Sequence, residues 1–369
     1  MTEAPLHSCP DFNTRVRYDI EFRMDLFVQE NSTAIAIGLF VLGVVLGRGL
    51  EVWSKQMCRQ FRLSQNYEPV EYPGLNFPAT ELLTGALFAG YFLAVFRFGA
   101  HTTDDVLPSF FWKYGRGVAH LILIALLVAG TATDFREYII PDQVTVTGVV
   151  LGVGIAVASG DTQLMHLWVD WNQAIPGLRG PFIPEWIRDN LHLHGLAWSL
   201  AGLVVGAGIT WLVRLVSRLV LGQEALGFGD VTLMGMIGCF VGWQAIIFVF
   251  LLAPLCGIVA GLSVRIFSGR TYVPYGPYLA LSTVGVLFSW RWLWMLEAQG
   301  TFSMRRFFGD AVGLAILAGF SLAALVVLLG SVRLYRVIPT DRPAGSSGNA
   351  GSDSAPDSEL EADVKQPGN

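Results

Sequence analysis

Two aspartates lie at the ends of apolar segments, where an ionisable side chain is costly and therefore indicates a functional site. Asp134 follows the apolar segment Gly117–Thr133, and Asp230 comes directly before the one that begins at Val231. The alternation of apolar segments predicts that both carboxyl groups reach the same membrane face at similar depth. Two carboxyl groups that meet cannot both ionise, so one acts as a base and the other as an acid. Such a pair can activate water for attack on a peptide carbonyl without a metal or a nucleophilic side chain.

Simpler roles remain open for each aspartate taken alone. An aspartate at a helix start is most often a cap, which suits Asp230. An aspartate at the end of a span can meet lipid headgroups, which suits Asp134. Asp142 begins another apolar segment and is a better candidate for a cap than for a catalyst. Gly227 and Gly229 permit close backbone approach, so an extended substrate has room beside the second aspartate.

The composition predicts an integral membrane protein. Hydrophobic residues make up 53% of the chain and charged residues only 14%, compared with about 25% in soluble domains. The net charge of −5 comes largely from an acidic tail beyond Thr340, and no basic stripe suggests nucleic acid as a partner. We therefore expect an all-α fold, a polytopic transmembrane helix bundle whose surroundings are the lipid bilayer.

Eight or nine crossings are expected from apolar runs of about 20 residues. The run Val231–Phe267 is too long for one crossing and predicts two helices that turn near Gly242-Trp243. The other runs are each about one span long: Thr33–Trp53, Ala79–Phe98, Gly117–Thr133, Ile140–Ser159, Gly195–Leu221, Tyr275–Trp294 and Ala311–Arg333.

Four parts are distinguished along the chain. Residues 1–32 form a polar N-terminal segment, 33–78 a first span with a short loop, 79–336 a transmembrane domain, and 337–369 an acidic tail expected to be disordered. Basic residues are more frequent in the loops on the side of the two aspartates. The positive-inside rule therefore predicts that this side faces the cytoplasm.

Four motifs in order resemble the type IV prepilin peptidase family. Segment 133–142 carries an aspartate followed eight positions later by the aspartate of a Pro-Asp pair, and segment 224–233 carries a GxGD core. Segments 78–84 and 273–280 resemble the start of the family's second span and its downstream proline-glycine-proline loop. A lone GxGD motif is weak, because presenilin-like proteases also carry one, but the ordered set is specific.

The resemblance implies a membrane-embedded aspartic endopeptidase of the bacterial inner membrane. Such enzymes remove the short basic leader from prepilins or pseudopilins at the cytoplasmic membrane boundary. Asp134 and Asp230 take the catalytic positions. Positions that bind the substrate or shape the site are taken by Pro141, Asp142, Glu224, Gly227, Gly229, Pro274, Tyr275, Gly276 and Pro277.

Departures from the family pattern concern a second activity. Bifunctional members also methylate the new N-terminus with S-adenosylmethionine, and many bind zinc through two CxxC pairs in the first loop. Here the loop 54–78 has only Cys58, and Gly47–Trp53 departs from the family's glycine-serine-asparagine signature. We therefore expect no zinc and a degenerate methyltransferase-like region over 33–78. The peptidase needs no cofactor, and S-adenosylmethionine is expected only if methylation is retained.

Two other functions remain open. The first is a catalytically inactive scaffold of a pilus or type II secretion system, which the eroded region 33–78 favours. The second is a proton-coupled transporter, in which Asp134 and Asp230 would relay protons. No pair of matching halves with broken helices is apparent in the sequence, which argues against the transporter.

Overall fold

The computed structural model describes residues 12–68, 78–169, 185–224, 226–268, 274–298 and 302–337. Outside this range lies the acidic tail, apart from residue 337. Residues 69–77 and 170–184, which connect apolar runs, also lie outside it. In chain order the elements are α1 (Phe12–Glu30), α2 (Ser32–Ser64), α3 (Ala79–Phe92) with a π-helical extension (Leu93–Arg97), α4 (Phe110–Glu137), α5 (Asp142–Ser159), α6 (Glu185–Asp189), α7 (Leu191–Leu221), α8 (Phe228–Ser268), α9 (Gly276–Trp294), β1 (Glu297–Ala298), β2 (Phe302–Ser303), α10 (Met304–Gly309) and α11 (Ala311–Val337).

The all-α, polytopic architecture is confirmed. In the described part of the chain, seven helices are long and apolar enough to cross a membrane. They are Ser32–Ser64, Ala79–Arg97, Phe110–Glu137, Asp142–Ser159, Leu191–Leu221, Phe228–Val259 and Ala311–Ser331. We expected eight or nine crossings, and the difference from seven arises at two places. The run that was expected to form two helices is one bent element, α8, and counts once. The helix α9, which was expected to cross, is not among the seven.

The expected turn near Gly242 is confirmed. Gly242 has φ 80° and ψ 170°, a backbone conformation that only glycine adopts readily, and it interrupts α8. A Cβ on Gly206 of α7 would touch both the carbonyl of Met234 and, at 3.1 Å, Cγ1 of Ile246. In a straight helix those two residues would lie about 18 Å apart. The two halves of α8 therefore fold back on each other beside α7, as two antiparallel helices.

This hairpin places the ends of several helices at one end of the bundle. The first half of α8 begins there, and α9 begins there after the second half returns. The C-terminus of α4 lies at the same end, because the Gly276 backbone at the start of α9 contacts Asp134. We call this end of the bundle the site end.

Candidate active site

Asp134 lies in the last turn of α4. The helix ends because Tyr138 takes up the left-handed conformation, with φ 56° and ψ 34°. Its backbone N–H then donates to the carbonyl of Asp134 at 3.0 Å, which closes the helix terminus. A non-glycine residue in this conformation is uncommon and fixes the chain direction directly after the aspartate. The side chain of Asp134 is therefore held on a defined turn and is buried, with 5% exposure.

Asp230 lies in the first turn of α8. Its Oδ2 accepts a hydrogen bond from the backbone N–H of Gly227 at 3.0 Å. Gly227 directly precedes the helix and Asp230 is its third residue, so this bond is of the capping-box type and also shapes the GxGD loop. The side chain of Asp230 is 8% exposed. An aspartate at a helix start also lies where the helix dipole favours an anion.

The backbone of Gly276 and the side chain of Ile140 connect the elements that carry the two aspartates. The Gly276 N–H donates to Oδ2 of Asp134 at 3.1 Å. A Cβ on Gly276 would lie 3.1 Å from Cδ1 of Ile140, and a Cβ on Gly229 would lie 3.2 Å from Cβ of the same isoleucine. One side chain therefore touches the starts of both α8 and α9. The carboxylates of Asp134 and Asp230 are close enough to interact electrostatically.

The two carboxylates keep most of their hydrogen-bonding capacity free. Asp134 accepts a backbone N–H bond from Gly276, and Asp230 accepts one from Gly227. Within the described residues, neither aspartate forms a salt bridge. A carboxylate has about four lone-pair sites, so each retains acceptor positions for water, a shared proton or a peptide group. That is what an acid–base pair requires.

The downstream loop lies beside the aspartates. Pro274, Gly276 and Pro277 are buried, and Pro277 occupies the first turn of α9, where the missing N–H of proline is harmless. The ring of Tyr275 is half-buried and within electrostatic range of Asp230. These four residues therefore lie at the site end.

The Pro141-Asp142 pair has a different environment. Pro141 is the residue before α5, and Asp142 is the exposed first residue of that helix. The Thr145 hydroxyl donates to the backbone carbonyl of Asp142 at 3.5 Å. The N-cap position is Pro141 and α5 has no side-chain capping bond, so the capping bond considered for Asp142 is not observed.

Glu224 contacts the site only through another residue. Its Oε2 lies 2.5 Å from Nη2 of Arg214 and its Oε1 lies 3.7 Å from Nη1 of Arg218, both near the end of α7. The Arg214 guanidinium also lies 5.6 Å from the centre of the Phe228 ring and interacts electrostatically with Asp230. Glu224 therefore holds an arginine that faces the GxGD loop.

Sequence reasoning missed Ile140 and Arg214. Ile140 lies inside the first motif, between the aspartate and the Pro-Asp pair, but an apolar side chain carries no chemical signal. Arg214 lies on α7, ten positions before Glu224, and its contact depends on how that helix ends. Only the fold brings either residue to the site.

No group of three or more metal-ligating side chains is found within the described residues. The resemblance places the methyltransferase-like region over 33–78, which includes α2. A Cβ on Gly43 of α2 would lie 2.7 Å from the Cα of Gly85 on α3. Backbones this close leave no room for a nucleoside-sized ligand between the two helices at this point.

Comparison with known proteins agrees with this geometry. Residues 121–262 match the type IV leader peptidase family. The resemblance to this family is thereby confirmed. The matched range contains both aspartates of the site, on α4 and on α8. We call it the leader-peptidase region.

Curated relatives match over longer stretches of the chain than the family does. The chain is 29% identical over 177 residues to a prepilin leader peptidase/N-methyltransferase of Pseudomonas putida, covering 46% of this chain and 50% of the relative. It is 30% identical over 220 residues to the protein of that name from Xanthomonas campestris pv. campestris, covering 58% and 59%. The corresponding protein of Aeromonas salmonicida is 26% identical over 237 residues, covering 63% and 61%. The aligned part thus spans between half and about three-fifths of these relatives. No solved structure matches.

Proposed function

We propose that this protein is a membrane-embedded aspartic endopeptidase that removes the basic leader from prepilin or pseudopilin-like substrates. One observation carries the proposal: Asp134 and Asp230 come from separate helices and reach one end of the bundle, around the Ile140 side chain and the Gly276 backbone. The proposal also has support from the leader-peptidase region, whose named relatives are prepilin leader peptidases.

The two carboxyl groups have different roles in hydrolysis, one as the general base and the other as the general acid. One is ionised and takes a proton from a water molecule, whose oxygen attacks the peptide carbonyl carbon. The other holds a proton and donates a hydrogen bond to the carbonyl oxygen, where negative charge develops. Collapse of the tetrahedral intermediate breaks the C–N bond, and a proton passes to the leaving amine. The water supplies hydroxyl to one product and hydrogen to the other, so the reaction balances without further reactants.

The surroundings of the pair suit this chemistry. Both carboxyl groups are buried, so water is partly excluded and the interaction between them is stronger than in bulk solvent. The N–H groups of Gly276 and Gly227 fix one oxygen of each carboxyl group and leave the other oxygens available. Preorganised groups of this kind need little rearrangement as the transition state forms.

The substrate is proposed to meet the site at the cytoplasmic boundary of the bacterial inner membrane. The excess of basic residues in the loops on the site side supports this orientation. A substrate with a basic leader and an apolar helix would then expose its junction at the level of the two aspartates.

A cleavage assay in reconstituted membranes tests the proposal. The full chain is combined with a candidate prepilin from the same genome, and the product mass is read by mass spectrometry. Asp134→Asn and Asp230→Asn are compared with wild type. Each variant should lose cleavage by about a thousand-fold, because general acid–base groups contribute about 10²–10⁴-fold.

The outcomes separate the candidate functions. Leader loss in wild type alone supports the acid–base pair, and an added methyl mass on the product would reveal a second activity. Full cleavage by either aspartate variant would contradict the mechanism. A wild type that binds several candidate prepilins and cleaves none would favour the inactive scaffold.

A further inference from the structure

A buried ion pair ties α2 to the turn of α4 that carries Asp134. Nη2 of Arg136 lies 2.6 Å from Oε1 of Glu51, and Nη1 of the same arginine donates to the Ser54 hydroxyl at 2.6 Å. Arg136 is only two residues beyond Asp134. Its two guanidinium nitrogens therefore attach the end of α4 to two successive turns of α2.

Glu51 is also held from other sides. The hydroxyl of Thr80, at the start of α3, donates to its Oε2 at 2.9 Å, and Nζ of Lys55 lies 3.2 Å from its Oε1. The glutamate is almost fully buried. Both of its carboxylate oxygens are thus engaged, by groups from three different helices. Such a satisfied network restricts the rotation of each member.

A second contact fixes the same turn. Nη1 of Arg62, near the end of α2, lies 3.5 Å from Oε1 of Glu137, the last residue of α4. The length of α2 makes both contacts possible, because 33 residues of helix span about 50 Å, well beyond the hydrocarbon layer of about 30 Å. The end of α2 therefore runs past the apolar core and reaches the site end.

We propose that Glu51 is a positioning residue of the peptidase site and acts through Arg136 on the orientation of Asp134. The inference rests on the proposed function and deepens it. It assigns a peptidase role to a residue in α2, outside the leader-peptidase region and inside the segment that resembles a degenerate methyltransferase region. This role does not involve methyl transfer, because the ion pair affects only where the side chain of Asp134 lies.

The physical reason is the small tolerance of the reaction for misplacement. With Glu51 neutral, the guanidinium of Arg136 stays buried without its charged partner, which is strongly unfavourable. The arginine then turns towards water and takes the last turn of α4 with it. A shift of about 1 Å in a reacting group can lower the rate about 100-fold.

The test compares turnover per folded molecule among variants of the full chain in reconstituted membranes. Glu51→Gln keeps the size of the side chain and removes its charge. Glu81→Gln is the matched control, because Glu81 is also buried, lies on the neighbouring α3 and pairs at 3.2 Å with Arg48 of α2. Ser54→Ala is a milder variant that removes only the second partner of Arg136. It serves as the test if Glu51→Gln does not accumulate as folded protein.

The expected result is a fall in kcat of roughly 10- to 100-fold for Glu51→Gln, with an unchanged KM, because the substrate still binds. Ser54→Ala should show a smaller fall in kcat, and Glu81→Gln should match wild type. Arg136→Lys should restore part of the activity that Arg136→Gln loses, since lysine keeps the charge but not the two-pronged contact. Non-additive losses in the Glu51→Gln/Arg136→Gln pair should show that both residues act as one unit.

Two results would overturn the inference, and they differ from a failure of the proposed function. One is an unchanged kcat per folded molecule in both Glu51→Gln and Ser54→Ala. The other is a loss of folded protein in which the remaining molecules turn over at the wild-type rate, which indicates structural support only. If wild type cleaves no prepilin, the proposed function itself is contradicted.

Discussion

Buried aspartates at the two ends of the bundle have different partners. At the end opposite the site, Asp105 precedes α4 and is 7% exposed. Its Oδ2 accepts a hydrogen bond from Nε1 of Trp294 at 2.6 Å, and its Oδ1 lies 3.4 Å from Nη1 of Arg305. At the site end, Asp134 and Asp230 are 5% and 8% exposed, so burial alone does not distinguish the three side chains.

The difference lies in what each carboxylate touches. Asp105 has a side-chain partner on each oxygen, one of them an arginine, and this arrangement holds α9 and the segment after it against the start of α4. Within the described residues, Asp134 and Asp230 each accept a hydrogen bond from one backbone N–H group. A carboxylate whose lone pairs are all used stabilises the fold, and one with free lone pairs is available for chemistry. The following predictions test this contrast.

The largest expected effect is a loss of cleavage activity, without a loss of stability, when either aspartate at the site end is replaced. Asp134→Asn and Asp230→Asn should each lose about a thousand-fold in cleavage. Their thermal midpoints in detergent should equal or exceed that of wild type, because each change relieves the repulsion between two buried carboxyl groups. A large drop in the midpoint of either variant would show that these aspartates support the fold, as Asp105 does.

A smaller loss of cleavage is expected from Gly276→Ala. The added methyl group would meet Oδ2 of Asp134 and lie 3.1 Å from Cδ1 of Ile140, so the aspartate must move. We expect cleavage to fall roughly 10- to 100-fold. Gly285→Ala is the control on the same helix, since a Cβ there meets nothing within 4 Å. Equal rates for both alanine variants would contradict the contact between Gly276 and the reacting group.

The reverse pattern is expected at the opposite end. Asp105→Ala should destabilise the protein by about 2–3 kcal/mol, because it leaves Nε1 of Trp294 without its acceptor and removes one of the two carboxylates that Arg305 contacts. Cleavage per folded molecule should stay at the wild-type level. Asp104→Ala, at the exposed neighbouring position, should change neither quantity. Thermal unfolding and the cleavage assay, performed on the same preparations, measure both.

The smallest effect is a pH dependence of stability that Asp105 contributes. Burial raises the pKa of Asp105 above its usual value, against the opposing effects of Trp294 and Arg305. The folded state therefore holds this proton more tightly than the unfolded state. The stability from this group is fully present below the usual aspartate pKa, about 3.9, and is lost as pH rises through the raised value.

Asp105→Asn should remove that dependence. The difference in thermal midpoint between the asparagine variant and wild type should change in the variant's favour as pH rises above about 4. A constant difference across this range would show that the folded and unfolded states bind the proton equally.

Local sequence signals predicted much of this molecule. Apolar runs located the spans, and Gly242 marked the turn in α8, because both depend on residues close together in the chain. The placement of Asp134 and Asp230 at one end followed from counting crossings. The contacts of Asp142 and Glu224 were harder to predict from the sequence. Asp142 lies at the start of a helix, and Glu224 contacts an arginine on another helix.

Long-range contacts were not predictable from the sequence. Glu51 and Arg136 are 85 positions apart, and Gly276 and Asp134 are 142 positions apart. Neither pair has a local pattern. The contact between Arg62 and Glu137 depends also on how far a helix extends before it ends: α2 continues to Ser64, beyond the expected end at Trp53. The length of a helix past its apolar run is set by packing, which a hydropathy pattern does not record.

The turn at Gly242 also has a consequence for lipid and water. The part of α8 before it, residues 228–241, spans about 21 Å, whereas a bilayer core is about 30 Å thick. With Gly242 at one boundary of the core, Asp230 lies about 12 Å inside the other. Every cut consumes a water molecule, which has to reach that depth. The bilayer is therefore expected to thin around the start of this short helix. Turnover should then fall in membranes of longer acyl chains, although no residue of the protein has changed.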